Sequence, residues 1–176
     1  FYNNETRHMN ASPLAKREKG SFFMVQILFA RPEDEEELRD IFWNYGMDMS
    51  GDITEHLVVK NGVELLAGGK LSELEEKKFY LEVIGVKEGY NGCGYGSLLL
   101  NKMVQNPWEC CKKPISQNRG KYVITTIARG RAVNFYQRHG FKPCDFEQIP
   151  LEYRYQCSDC PEKEDCGPVP MILIGG

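Results

Sequence analysis

Two clusters in this 176-residue chain combine residue type and spacing in a way that chemistry uses. The first is glycine-rich: Gly92, Gly94 and Gly96 alternate with Cys93 and Tyr95 in "NGCGYGSLLL", directly before an apolar run. Glycine lacks a Cβ, so the backbone turns tightly there and aims several N–H groups into one hollow. A helix beginning at the same point adds positive potential. Such a hollow suits a phosphate. Its spacing is not the G-x-G-x-x-G of dinucleotide folds, and no Gly-Lys-Ser/Thr follows, so neither a Rossmann site nor a Walker loop fits. The second cluster is "CSDCPEKEDC", which sets Cys157, Cys160 and Cys166 at C-x2-C-x5-C. A C-x2-C knuckle directs two thiolates at one metal, and a third thiolate with one distant ligand completes a tetrahedral zinc site. Cys144, His139, Cys110, Cys111 or a water are all candidates for that fourth ligand. An iron–sulfur centre, a disulfide and a reduced loop facing solvent compete with zinc, and Pro161, Gly167 and Pro168 suit the loop.

The frame around these clusters is ordinary. Hydrophobic residues make up 41% and charged residues 27% of the chain, the balance of a soluble globular domain. A chain of this length buries roughly 70% of its unfolded surface, so a metal would be an addition rather than a condition of folding. The formal net charge is -3 and the basic residues are scattered, which argues against nucleic acid as partner. No run approaches the ~18 apolar residues of a membrane span, and the first residues lack a secretory layout. With an odd count of 7 cysteines, these features predict a cytoplasmic protein with reduced thiols.

Residues 1–21 read as a flexible N-terminal extension, and the absence of an initial Met marks this end as a candidate fragment boundary. Two Asn-x-Ser/Thr matches there, at Asn4 and Asn10, carry little weight in a cytoplasmic protein. Residues 22–176 read as one domain that includes the cysteine-containing segment of about 150–170. A strand is expected over Val25 to Ala30. A helix begins at Pro32, its acidic first turn from Glu33 to Glu37 forming a solvated face. The runs His56 to Lys60 and Val63 to Leu71 are joined by Asn61-Gly62, a strong hairpin signal. Charged "SELEEKK" then connects to a fourth strand, Phe79 to Val86. A helix from about Gly96 to Gln105 leads into a long polar connection, "NPWECCKKPISQNRGK". The strand "YVITTIA" and the helix "RAVNFYQRHG" follow, with Gly140 as the C′ residue. Phe141 to Phe146 and Pro170 to Ile174 complete the strands. Trp43, Trp108 and the apolar face of the first helix are candidates for a homodimer surface, against the commoner role of such a face as core.

Asn91-Gly92-Cys93-Gly94-Tyr95-Gly96, between the strand "LEVIGV" and the helix "SLLLNKMV", resembles the acetyl-CoA loop Gln/Arg-x-x-Gly-x-Gly/Ala of the GNAT N-acetyltransferase superfamily. "RAVNFYQRHGFKP", from Arg131 to Pro143, is similar to that family's later segment, with an Ala and then Phe-Tyr on a helix and Gly-Phe entering a strand. The resemblance runs from Phe22 to about Phe146. It implies an α/β (α+β) GNAT fold: a mixed central sheet flanked by helices, with splayed fourth and fifth strands between which the pantetheine arm lies. It also implies acetyl-CoA as cosubstrate. Asn91, Gly92, Cys93, Gly94, Tyr95, Gly96 and Ser97 would then hold the pyrophosphate and Ile84, Gly85 and Val86 the arm. Gly85 would permit a bulge that turns an N–H toward the thioester carbonyl. Two positions depart from the pattern. Asn91 stands where Gln or Arg is usual, and Arg129 stands where Asn often precedes the fourth helix, so that Arg129 is a candidate source of the missing positive charge.

Direct acyl transfer to an amine needs a neutral nucleophile, a polarised thioester and a proton for the departing thiolate. An alkyl ammonium has a pKa near 10.4, so only about one molecule in two thousand is neutral at pH 7 and a base must take the proton. Glu82 is the candidate base: simple alternation places it on one face with Tyr80, Ile84 and Val86. Counting back from the glycine loop puts the family's base nearer Tyr80, and a salt-bridged surface carboxylate is the plain alternative. The resemblance assigns Tyr136 to the leaving sulfur, with Phe135 as core. His139 reads as a cation at a helix C-terminus, and Cys93 as a small filler. The expected function is acetyl-CoA-dependent N-acetylation of a primary amine, on a small molecule or on a Lys or N-terminal amine. The acidic "PEDEEE" and "PEKED" stretches favour a cationic acceptor. The competing expectation is a non-catalytic acyl-CoA-binding or metal-binding regulatory domain.

Overall fold

The computed structural model describes residues 24–176. The extension expected over residues 1–21, with Asn4 and Asn10, lies outside the described residues. The chain folds as β1 (Val25–Phe29), α1 (Glu35–Trp43), β2 (Leu57–Asn61), β3 (Glu64–Glu75), β4 (Lys78–Val86), α2 (Tyr95–Gln105), α3 (Pro107–Cys110), β5 (Tyr122–Ala128), α4 (Val133–Arg138), β6 (Lys142–Pro143), α5 (Leu151–Ser158), α6 (Lys163–Cys166) and β7 (Val169–Gly175). The strands form one 7-stranded sheet in the order β1-β2-β3-β4-β5-β7-β6. All neighbours are antiparallel except β4 and β5.

Each sheet face carries its own core. On one face, Leu38, Ile41 and Phe42 of α1 pack on Val58, Leu65 and Val83. Each such side chain, fully buried, contributes about 1.5–3 kcal/mol. On the other face, Leu99, Leu100 and Met103 of α2 meet Leu71, Phe79, Leu81, Ile124, Tyr136 and Phe141. Trp108 packs edge-on against Phe79 and Tyr122 in this second core. Trp108 and the apolar face of α1 therefore belong to the interior, not to a dimer surface, and only Trp43 is exposed.

Several local expectations shift for physical reasons. The Asn61-Gly62 hairpin forms, with Gly62 at φ +64. "SELE" is strand rather than connection, because β3 pairs with β4 up to Glu75↔Lys78. The turn is closed by Lys77 at φ +60, whose N–H donates to Glu73 Oε1 at 2.7 Å and to Ser116 Oγ at 2.8 Å. Among the first-turn acids, Asp34 is not solvated: it is buried, accepts from the Arg31 N–H and pairs with Lys60. The polar connection after α2 contains the short helix α3 and buries Cys110 and Cys111. Strand β6 stops at Pro143, since proline cannot extend a ladder, and Phe146–Gln148 is a 3-10 turn. The segment before β7 is largely helical, as α5 and α6.

Candidate active site

Strands β4 and β5 pair only at Lys78↔Val123, Phe79↔Ile124 and Tyr80↔Thr125. Beyond that point a single side-chain link, from Thr126 Oγ1 to the Leu81 carbonyl at 2.9 Å, precedes their divergence. The β5-facing backbone of Ile84 and Val86 is left without a strand partner. A cleft of about 520 Å³ opens between the two strands, continuous with the glycine loop and the outer face of α4.

The loop's glycines are needed for backbone shape. Gly92 and Gly94 sit at φ +79 and +90, where side-chain-bearing residues are strained, and a Cβ at either would meet nothing within 4 Å. The space beside them is open. Gly94 is the N-cap of α2, and the first helical bond runs from the Leu98 N–H to the Gly94 carbonyl at 2.9 Å. The N–H groups of Tyr95, Gly96 and Ser97 therefore have no helical acceptor and stand at the positive end of the helix. Gly96 serves packing instead: a Cβ there would lie 3.1 Å from Val86 Cγ2. This donor set fits a pyrophosphate.

Of the residues singled out from sequence, Ile84, Gly85, Val86, Asn91, Gly92, Gly94, Gly96, Ser97, Arg129 and Tyr136 all line this one cleft. Cys93, exposed, and Tyr95, half-buried, sit beside it in the loop without lining it. Arg131 and Arg138 also line it and were missed. Arg131 lies in the 3-10 turn Gly130–Ala132 and Arg138 ends α4, so the two reach one cleft from successive short elements rather than from one helix face. Tyr45 was missed too. Its hydroxyl lies 3.0 Å from the Val86 carbonyl and 2.7 Å from Asn91 Oδ1, donating between them. Arg129 donates through Nη2 to the Gly46 carbonyl at 2.7 Å.

The bulge expected at Gly85 lies elsewhere. Gly85 pairs regularly with Gly68, while the register passes from Lys70↔Val83 to Leu71↔Leu81, leaving Glu82 as the extra residue. Gly85 instead permits α1 to approach, since a Cβ there would fall 3.2 Å from Ile41 Cγ2 and 3.3 Å from both Phe42 and Tyr45. The bulge also corrects the face assignment of Glu82. Ile84 and Val86 pack on the α2 side, as do Phe79 and Leu81, whereas Val83 packs on the α1 side. Simple alternation fails at the inserted residue, and Glu82 does not share a face with Ile84 and Val86.

Glu82 does not line the cleft and is not a surface carboxylate, its side chain being 5% exposed. It accepts from Ser72 Oγ at 2.5 Å and faces Lys70 Nζ at 3.4 Å. Lys70 also pairs with Glu55 at 3.0 Å. The Tyr80 ring stacks on Tyr153 of α5 with centroids 3.8 Å apart. Burial pushes the Tyr153 phenol upward, and the neighbouring Glu82 carboxylate adds to that. Tyr136 is buried and lines the cleft. Burial pushes its phenol up to about 12, against a smaller opposing effect of the Thr126 hydroxyl. His139 turns its Nδ1 to the Phe135 carbonyl at 2.7 Å.

The cysteine tail does not form the expected metal centre. Among the described residues, no group of three or more His, Cys, Asp or Glu side chains is arranged to hold a metal ion. Cys157 lies in the last turn of α5, Cys160 between the two helices and Cys166 at the end of α6, none of them in a disulfide. Burial pushes the Cys157 thiol up, and the neighbouring Cys166 and Cys160 add to that.

Residues 52–143 match the family model described as an acetyltransferase (GNAT) domain. No curated protein sequence matches the chain. Solved structures share the fold at low identity. The N-acetylglutamate synthase of Neisseria gonorrhoeae, complexed with coenzyme A and L-arginine, aligns with TM-score 0.63 at 13% identity over 85% of this chain and 32% of that one. The chain thus spans about a third of that synthase's length. Rv2747 from Mycobacterium tuberculosis, in complex with CoA and NLQ, gives TM-score 0.64 at 14% identity, over 86% and 99% of the two chains. The ribosomal-protein-S18-alanine N-acetyltransferase of Escherichia coli gives 0.58 at 14% identity, over 86% and 94%.

Proposed function

The chain belongs to the GNAT acetyltransferase family, and from that premise we propose that it is an acetyl-CoA-dependent N-acetyltransferase acting on a primary amine. One observation carries the reading: the parting of β4 from β5 after Tyr80↔Thr125, with the unpaired N–H groups of Tyr95 to Ser97 at the mouth of the resulting cleft. A pantetheine arm fits beside the free backbone of Ile84 and Val86, and a pyrophosphate fits the glycine loop, where Arg131 and Arg138 supply the charge that Asn91 does not. Acetyl-CoA brings the reactive thioester; the chain binds it, orients it and manages protons.

Tyr136 lines the cleft, and burial raises its phenol to about 12, which keeps it protonated near neutral pH. It acts as a hydrogen-bond donor to the departing sulfur rather than as a full acid, because a thiolate of pKa roughly 8.5 cannot take a proton from a phenol of about 12 without an uphill transfer. Glu82 remains the candidate acceptor of the amine's proton. It lies under Tyr153 on the α1 side, so an amine reaches its carboxylate only by displacing that ring or through a water. All seven cysteines are free, which suits a reducing compartment such as the cytoplasm.

Calorimetry with acetyl-CoA and CoA, followed by turnover of an amine panel that includes spermidine, a Lys peptide and an Ala-terminated peptide, tests this. Micromolar binding with release of CoA on at least one amine is the expected result. Tight binding without turnover on any amine would instead favour the acyl-CoA-sensing alternative.

A further inference from the structure

The segment that leaves α1 touches both walls of the cleft. Tyr45 reaches the β4 wall, its hydroxyl between the Val86 carbonyl at 3.0 Å and Asn91 Oδ1 at 2.7 Å. Gly46, the next residue, gives its carbonyl to Arg129 Nη2 at 2.7 Å on the β5 wall. Gly46 is at φ +62, and a Cβ there would lie 3.3 Å from Arg129 Nη1, so both its conformation and its close approach need glycine. Its N–H to Trp43 and the Met47 N–H to Phe42 close the α1 terminus, which anchors the segment to a buried helix. From the other side, Gly130 is backed by the Gly167 carbonyl, 3.3 Å from where a Cβ would stand. Arg129 is thereby held between the α1 segment and the cysteine-bearing tail.

We propose that Tyr45 and Arg129 are positioning residues that strap the two splayed strands together across the cleft, and that cofactor is admitted when the Arg129–Gly46 link opens. This rests on the acyl-CoA reading of the cleft. Arg129 is then not chiefly a phosphate ligand, and that role falls to Arg131 and Arg138. Tyr45 satisfies the Val86 carbonyl, where no strand does, and holds Asn91 in place of the longer residue usual at that position. An incoming pantetheine amide shares or replaces that bond.

The test is stopped-flow binding of CoA, followed by the fluorescence of Trp43, two residues before Tyr45, in wild type, Arg129→Met, Arg129→Lys and Tyr45→Phe. Arg129→Met has no donor for the Gly46 carbonyl, and losing one hydrogen bond that must open for entry should raise its association and dissociation rates together, by about two- to tenfold. Arg129→Lys, which keeps a donor, should lie nearer wild type. Amide hydrogen exchange of unliganded Arg129→Met should quicken at residues 45–48. Unchanged rates would overturn the strap. So would faster dissociation alone with a shallower salt dependence, the signature of a direct phosphate ligand. Wild-type protein that binds no CoA at millimolar concentration would sink the acyl-CoA reading and the strap with it, whereas binding with unaltered variant rates sinks only the strap.

Discussion

Replacing Tyr136 by Phe removes one hydroxyl from a side chain 6% exposed and leaves the ring's contacts with Phe135 and Phe141 in place. The expected effect follows from what the hydroxyl faces. In the resting protein it meets Thr126, a neutral partner, and its loss there costs about 1 kcal/mol of stability. When a thiolate departs, the same hydroxyl donates to a charge that water cannot reach, and such bonds are worth about 1.5–3 kcal/mol. Turnover should therefore fall roughly 10- to 150-fold, with the affinity for acetyl-CoA little altered, since the bond strengthens only as charge develops. With the phenol raised to about 12, wild type and variant should also share the same alkaline limb in a pH–kcat profile. Steady-state kinetics from pH 6 to 10.5, with Tm recorded for both proteins, decide the matter. A loss below threefold, or an alkaline limb present in wild type and absent in the variant, would refute the assignment.

Gly94→Ala places a Cβ at φ +90 and should cost about 1–2 kcal/mol by thermal melting, while weakening CoA binding because the loop's N–H groups turn away. Arg131→Gln and Arg138→Gln should each weaken CoA binding about two- to fivefold at low ionic strength, with the difference fading in high salt. Glu73 is buried and, despite the burial, held below the usual carboxylate range by the Ser116 hydroxyl and by the N–H groups of Ser116, Lys77 and Ile115. Its contribution is complete above pH 4.5 and is lost as pH falls through its lowered folded value. Glu73→Gln should cost about 2–3 kcal/mol at pH 7 and flatten the acid side of a stability-versus-pH curve.

The parts legible in the sequence are those written in local terms. The glycines before "SLLLNKMV" announce a turn at a helix start, and Asn61-Gly62 announces a hairpin, because a few residues suffice to determine each. What escaped depends on register and distant contacts. The face of Glu82 could not be read from alternation, since one inserted residue in β4 reverses it, and no residue in "FYLEVIGV" marks the insertion. Tyr45 and Arg129 gain meaning only from Val86, Asn91 and Gly46, which are 41, 46 and 83 residues away from them in the chain. C-x2-C-x5-C suggested a metal by spacing alone, and among the described residues no group of three or more such side chains is arranged to hold one. Asp34 looked like one more solvated acid until Lys60 arrived from β2.

The bulge at Glu82 joins two properties of the site that otherwise look independent. It falls directly after Tyr80↔Thr125, the last residue pair between β4 and β5. A bulge bends its strand and sharpens the local twist, so the inserted residue acts where β4 parts from β5 and the cleft opens. The same insertion reverses the alternation. Alternation from Phe79 and Leu81 on the α2 side puts Tyr80 and Glu82 on the α1 side, and after the insertion Ile84 and Val86 return to the α2 side with their backbone free along the gap. A cofactor arm lying along Ile84 and Val86 would thus end beside a strand segment whose next carboxylate faces the other side of the sheet. On the proposed reading, the thioester is delivered from one side of the sheet and Glu82 takes the amine's proton from the other, through a water where the carboxylate does not reach the amine directly. If the insertion opens the cleft, deleting Glu82 should restore regular alternation along β4 and weaken CoA binding together, which calorimetry of the deletion variant reads directly.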